Sequence, residues 1–161
     1  MRLARGNHVN LSVTDLDRSL DWYCRVFGLV AAADESVVSP ATDSPIRYQS
    51  LFDPNSMSYV VGLIQHPDGD RQPFDERRPG LDHLAVHVPE QLELEDWARH
   101  LDELGIEHSG IKRAPYEDVI TLRDPDNIQL EICWPNWAAP QNPDSETRIW
   151  TAYQAASCWS I

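Results

Sequence analysis

His8-Val9-Asn10-Leu11-Ser12-Val13 and His83-Leu84-Ala85-Val86-His87-Val88 are one phrase written twice. Asp21-Trp22 follows the first copy and Asp96-Trp97 the second, each beginning 13 residues after the leading histidine. Each copy then runs to a glycine and an aliphatic residue, Gly28-Leu29 and Gly105-Ile106. Self-similarity at a fixed offset, here 75 residues, is the signature of a duplicated module. Duplication also sets two histidines at equivalent positions. A pseudo-two-fold brings such positions together, and neutral imidazole is a common metal ligand.

Working outward, residues 8–13 alternate polar and apolar, the period of a strand. Thr14-Asp15 supplies a helix N-cap, Leu16, Leu20, Tyr23 and Phe27 recur at helical spacing, and Gly28 closes the helix. Residues 29–33 read as a strand and 39–45 as a loop. Strands at 46–52 and 57–65 are joined by the turn Asp53-Pro54-Asn55-Ser56. The stretch from His66 to Gly80, with three prolines and two glycines, reads as a linker. The second half repeats the order: strand 81–88, helix 91–104, strands at 106–111, 117–123 and 128–133, with Asp124-Pro125-Asp126-Asn127 as the last turn. The expected organisation is one α+β domain over 1–135, made of βαβββ modules 5–66 and 80–135 joined by linker 67–79. An extension, 136–161, follows, with Ser145-Glu146 capping a helix toward Cys158.

The net charge of −13, from 26 acidic against 13 basic residues, argues against a nucleic-acid partner, because phosphate contacts need Lys and Arg. No stretch has the apolar length of a membrane span, and the first residues carry no apolar run of the secretory kind. Cys24, Cys133 and Cys158 are odd in number and far apart, which fits reduced thiols in a cytoplasm and no thiolate zinc site.

Strand faces carry the chemistry. Val9, Leu11 and Val13 oppose His8, Asn10 and Ser12. Leu84, Val86 and Val88 oppose His83, Ala85 and His87. Ile128, Leu130 and Ile132 oppose Gln129, Glu131 and Cys133. The apolar faces must pack on the helices. The polar faces hold His, Asn, Gln, Glu and Cys with few of the Lys and Arg of a merely wet surface, which suggests a lined cavity.

The stretches 8–23, 80–86 and 123–131 resemble the vicinal oxygen chelate superfamily, the glyoxalase, bleomycin resistance protein and dioxygenase family, over about residues 7–134. The resemblance implies paired βαβββ modules curling into a cup-shaped mixed sheet around a divalent ion (Fe, Zn, Ni, Mn or Co), with His8, His83 and Glu131 as its ligands. Glyoxalase-like members add a fourth ligand from the last strand of the first module. Aligning Gln65-His66-Pro67 with Cys133-Trp134-Pro135 puts Leu63 there, and Gln65 or His66 reaches it only by a register shift. The implied function is a metal-dependent lyase, isomerase or ring-cleaving dioxygenase acting on a small oxygenated substrate. The alternative is a drug- or metabolite-binding protein without catalysis. His87 and Tyr116 are the catalytic candidates, and Asn10, Leu63, Gln65, Gln129 and Cys133 the pocket-lining ones. A homodimer is expected, since family members often pair modules across chains and Trp134, Trp137, Trp150 and Trp159 offer apolar surface.

Overall fold

The computed structural model describes residues 8–32, 35–38, 45–56 and 58–136. The expected helix after Ser145, with Cys158, Trp137, Trp150 and Trp159, lies outside the described residues. The first module contains β1 (Asn10–Ser12), α1 (Leu16–Phe27), β2 (Val30–Ala31), β3 (Glu35–Val38), β4 (Pro45–Phe52) and β5 (Tyr59–Gln65). The second contains β6 (His83–His87), α2 (Glu93–Glu103), β7 (Lys112–Arg113), β8 (Glu117–Arg123) and β9 (Gln129–Pro135).

Both modules have one topology. The first strand pairs parallel with the last (β1 with β5, β6 with β9), and the remaining pairs are antiparallel. β2 and β3 pair with opposite ends of β4. The strand expected at 106–111 does not form. Gly110 turns with φ 66, and the Ser109 hydroxyl accepts from Thr121 N at 3.0 Å, where a ladder carbonyl would otherwise sit. His108 keeps one bridge to Leu122, and the strand starts only at Lys112.

Helix α1 is specified locally. Asp15 is extended, and its carboxylate accepts from Arg18 N at 3.1 Å. Leu16, Ser19, Trp22, Tyr23 and Val26 form the buried stripe, and Gly28 ends the helix at φ 66. α2 has no side-chain cap, but Glu93, Glu95 and Asp96 in its first turn complement the helix dipole.

The apolar faces of both sheets enter one core. Leu11, Val13, Val61 and Leu63 from one module join Ile120, Leu122, Leu130 and Ile132 from the other, with α1 and α2 between. The modules are tied by polar bonds at the last turn. Asp126 accepts from Thr14 N, Thr14 Oγ1, Arg18 Nη2 and Ser19 Oγ, and Tyr23 donates to Asp124 at 3.0 Å. On the helix side, His100 Nε2 lies 3.0 Å from Val26 O and the Phe27 ring meets Trp97. The linker folds onto this junction: Phe74 N donates to Asp126 O, and Asn127 Nδ2 to Phe74 O. No helix among the described residues is long and apolar enough to cross a membrane.

Candidate metal centre

The register of the second sheet composes the site. Leu84, Leu130, Ile132, Ile120 and Leu122 point into the core. By alternation, His83, Ala85 and His87 of β6, Gln129, Glu131 and Cys133 of β9, and Glu117, Thr121 and Arg123 of β8 share the opposite face. Ala85 pairs with Glu131 and Glu131 with Thr121, so only small side chains flank the carboxylate across the sheet.

His83 Nε2 lies 3.5 Å from Glu131 Oε2. Two metal–ligand bonds of ~2.1 Å meeting near the tetrahedral angle separate their donor atoms by about 3.4 Å. The spacing and the imidazole–carboxylate chemistry therefore fit a shared divalent ion. Each group has an outer partner: Asp82 Oδ1 is 2.7 Å from His83 Nδ1, and Gln129 Nε2 donates to Glu131 Oε1 at 3.1 Å. The Asp82 bond holds the His83 imidazolium above the ordinary histidine range, with Glu131 and Glu117 adding to it against the opposing effect of burial. Glu131 is 16% exposed and His83 40%, so the pair is reachable from outside.

The other expected residues are placed as follows. His87 shares the face, opposite Cys133. Cys133 is buried there, and burial pushes its thiol up to about 11, so it stays protonated. Tyr116 precedes β8, 64% exposed, and is not joined to the pair. His8 and Asn10 are exposed on the matching face of the first sheet. His8 does not complete a set with His83 and Glu131: among the described residues no group of three His, Cys, Asp or Glu could hold a metal. Leu63 and Gln65 do not line this face. Leu63 is fully buried in the core, and Gln65 turns to the helix side, its amide holding Leu16 N, Thr14 O and Arg47. The module equivalence is also one residue off the expected one. Val13 N bonds Ile64 O as Val88 N bonds Cys133 O, so Gly62, not Leu63, stands where Glu131 stands. Either residue denies the site a fourth protein ligand.

Glu117 was missed. Its charge acts on both His83 and Cys133, and it belongs to the same face. Its phase with Thr121 and Arg123 is the sequence signal that could have found it. A cleft of about 720 Å³ borders this face at Thr121, Arg123 and Gln129, but neither His83 nor Glu131 lines it.

The ligand-bearing faces lie on the far sides of their sheets from the shared core. Among the described residues β1 pairs only with β5 and β6 only with β9, so each sheet ends on the strand that carries or follows its histidine.

The comparisons agree with this architecture. Residues 5–132 match the model of the Glyoxalase/Bleomycin resistance protein/Dioxygenase superfamily. A glyoxylase/bleomycin resistance protein/dioxygenase domain from Frankia sp. EAN1pec superposes with a TM-score of 0.72 at 28% identity, over 84% of this chain and 100% of that one. The fosfomycin resistance protein FosX from Listeria monocytogenes, solved with Mn(II) and sulfate, gives a TM-score of 0.57 at 14% identity, over 86% and 98% of the two chains, a likeness of fold. MhqA of Bacillus subtilis (strain 168), provisionally named a ring-cleaving dioxygenase, is 22% identical over 132 residues, 82% of this chain. The chain spans 40% of the length of that relative. On its duplicated modules and its match over residues 5–132, the chain belongs to the Glyoxalase/Bleomycin resistance protein/Dioxygenase superfamily.

Proposed function

We propose that this protein is a metal-dependent enzyme that chelates vicinal oxygens of a small substrate, with ring-cleaving dioxygenation as the chemistry its donor set serves best. The observation that carries the reading is the His83–Glu131 pair at 3.5 Å. With His8 it makes two imidazoles and one carboxylate, the set that leaves several positions open on an ion. Gly62 opposite Asn10 keeps a fourth protein donor away. The relative named for ring cleavage and the Mn(II)-bound FosX lend this support by kinship. When bound, the ion would polarise the chelated oxygens. His87, on the same face, would take or return the substrate proton, and Tyr116 and Glu117 would border the substrate at the β8 end.

Among the described residues no three such groups of one chain gather into a metal set, so the reading includes a homodimer. Among the described residues β1 pairs only with β5 and β6 only with β9, so each sheet ends on a strand that a second copy could extend. One copy's His8 would then face the other's His83 and Glu131.

The experiment mixes variants. Purified protein should bind about one manganese(II) per chain, and H8A or H83A alone should bind almost none. Refolding H8A and H83A together should return binding to about half the sites of each mixed dimer, because one of its two cups then carries both histidines. Catechol should perturb the spectrum of the cobalt-substituted protein. A wild type that binds no divalent ion overturns the enzyme reading in favour of sequestration. Ion binding with no rescue on mixing overturns the two-chain cup alone.

A further inference from the structure

His83 and Glu131 each have one side-chain atom engaged by an outer residue, and their other atoms, Nε2 and Oε2, face each other. We propose that Asp82 and Gln129 are positioning residues, which hold His83 and Glu131 so that Nε2 and Oε2 are the donating atoms. The proposal rests on the metal-dependent reading above.

A neutral imidazole has one N–H and one lone pair, and its hydrogen bonds decide which nitrogen carries which. The Asp82 carboxylate can only accept. At 2.7 Å from Nδ1 it selects the tautomer with hydrogen on Nδ1. The lone pair then falls on Nε2, the atom 3.5 Å from Glu131 Oε2.

The carboxylate side follows the same logic through a longer chain. Arg123 can only donate. Its Nη2 lies 3.1 Å from Gln129 Oε1, so the Gln129 oxygen faces Arg123 and its NH2 faces Glu131. That NH2 donates to Oε1 at 3.1 Å and leaves Oε2 toward His83. Arg123 is fixed in turn by both oxygens of Glu76 and by Asn127 O. The linker residue Glu76 is thus connected to the ligand Glu131 through two side chains. Outer partners of this kind raise ligand basicity and remove the cost of orienting the ligand when an ion arrives.

The test reads tautomer and affinity separately. Long-range proton–nitrogen spectra of the metal-free protein, at a pH where His83 is neutral, should show hydrogen on Nδ1. D82A should move it toward Nε2, and D82N, which keeps an accepting oxygen, should preserve most of the wild-type signature. Manganese(II) affinity should fall about 10–100-fold in D82A, less in D82N, and about 10-fold in Q129L. Asp82 is 72% exposed, so its variants keep the fold. An unchanged tautomer in D82A, or a shifted tautomer with unchanged affinity, overturns the role of Asp82. Full affinity in Q129L overturns that of Gln129. A wild type that binds no manganese overturns the metal reading instead, and the tautomer spectra still judge the Asp82 bond.

Discussion

The two modules share a topology but bury different things. The turn that precedes the last strand is Asp53-Pro54-Asn55-Ser56 in the first and Asp124-Pro125-Asp126-Asn127 in the second. Asp53 answers only to its own turn: the Ser56 hydroxyl and the Asn55 backbone hold its carboxyl below the usual carboxylate range. Asp124, the equivalent residue, is packed under α1, and burial pushes its carboxyl up despite bonds from Ile128 N, Tyr23 and Asp126 N. The last strands diverge likewise, with Gly62 in one and Glu131 in the other. Duplication built the frame. The second copy alone has the buried turn and the carboxylate on its last strand, which gives the frame an interior lock and a one-sided distribution of polar groups.

The matched tryptophans should expose this asymmetry most strongly. Trp22 is almost fully buried, edge-on to Tyr23 and Phe27. Trp97 is half-buried against Phe27 and His100. W22A should cost about 4 kcal/mol in urea unfolding and W97A about 2 kcal/mol, following the area each leaves unfilled. Equal losses would mean that the helices are equivalent in the core.

The turns come next. D126A removes the acceptor for four bonds from α1 and its lead-in and leaves the part-buried donor Thr14 and the buried donor Ser19 without it, so it should cost about 2–3 kcal/mol. D53A should leave the unfolding midpoint nearly unmoved, because its bonds stay within an exposed turn. A D53A loss as large as that of D126A would break the comparison.

The repeated frame was legible because it is written in local chemistry. Strand alternation, the Asp15 cap and Gly28 are read without knowing the partner. The strand faces of His83 and Glu131 were legible too, since β6 and β9 alternate cleanly. The phase of β5 was not. Tyr59-Val60-Val61-Gly62-Leu63-Ile64 is apolar on both faces, so a period of two has no mark to lock on, and Leu63 was expected where Gly62 stands. Gln65 looked like a pocket residue because its partners, Thr14, Leu16 and Arg47, are remote in sequence. Asp124 and Asp126 read only as turn residues, since their burial is created by the other module. Asp82 was invisible for a geometric reason: neighbours in a strand point to opposite faces, and the bond to His83 exists because β6 begins at His83 itself.

The smallest expected effect tests the one-sided site by pH. In the metal-free protein His83 should titrate above the ordinary histidine value of about 6.5, chiefly through the Asp82 bond, with Glu131 and Glu117 contributing. A folded-state value above the unfolded one means the folded chain holds the proton more tightly. The stabilisation from that proton is fully present below the unfolded value and is lost as pH rises through the folded one. Unfolding midpoints of wild type and H83Q should therefore differ most at pH 5 and converge as pH rises through the folded-state His83 titration. The His83 ring proton, followed by NMR, should titrate at lower pH in D82N than in wild type, and in E131Q to a smaller extent, in the order of the causes. Divalent ion binding should strengthen over the same interval, because an ion displaces the proton from Nε2. A His83 midpoint at the ordinary value, unmoved by D82N, would show that the second module's face does not gather negative charge around its histidine. The two copies would then differ in packing alone.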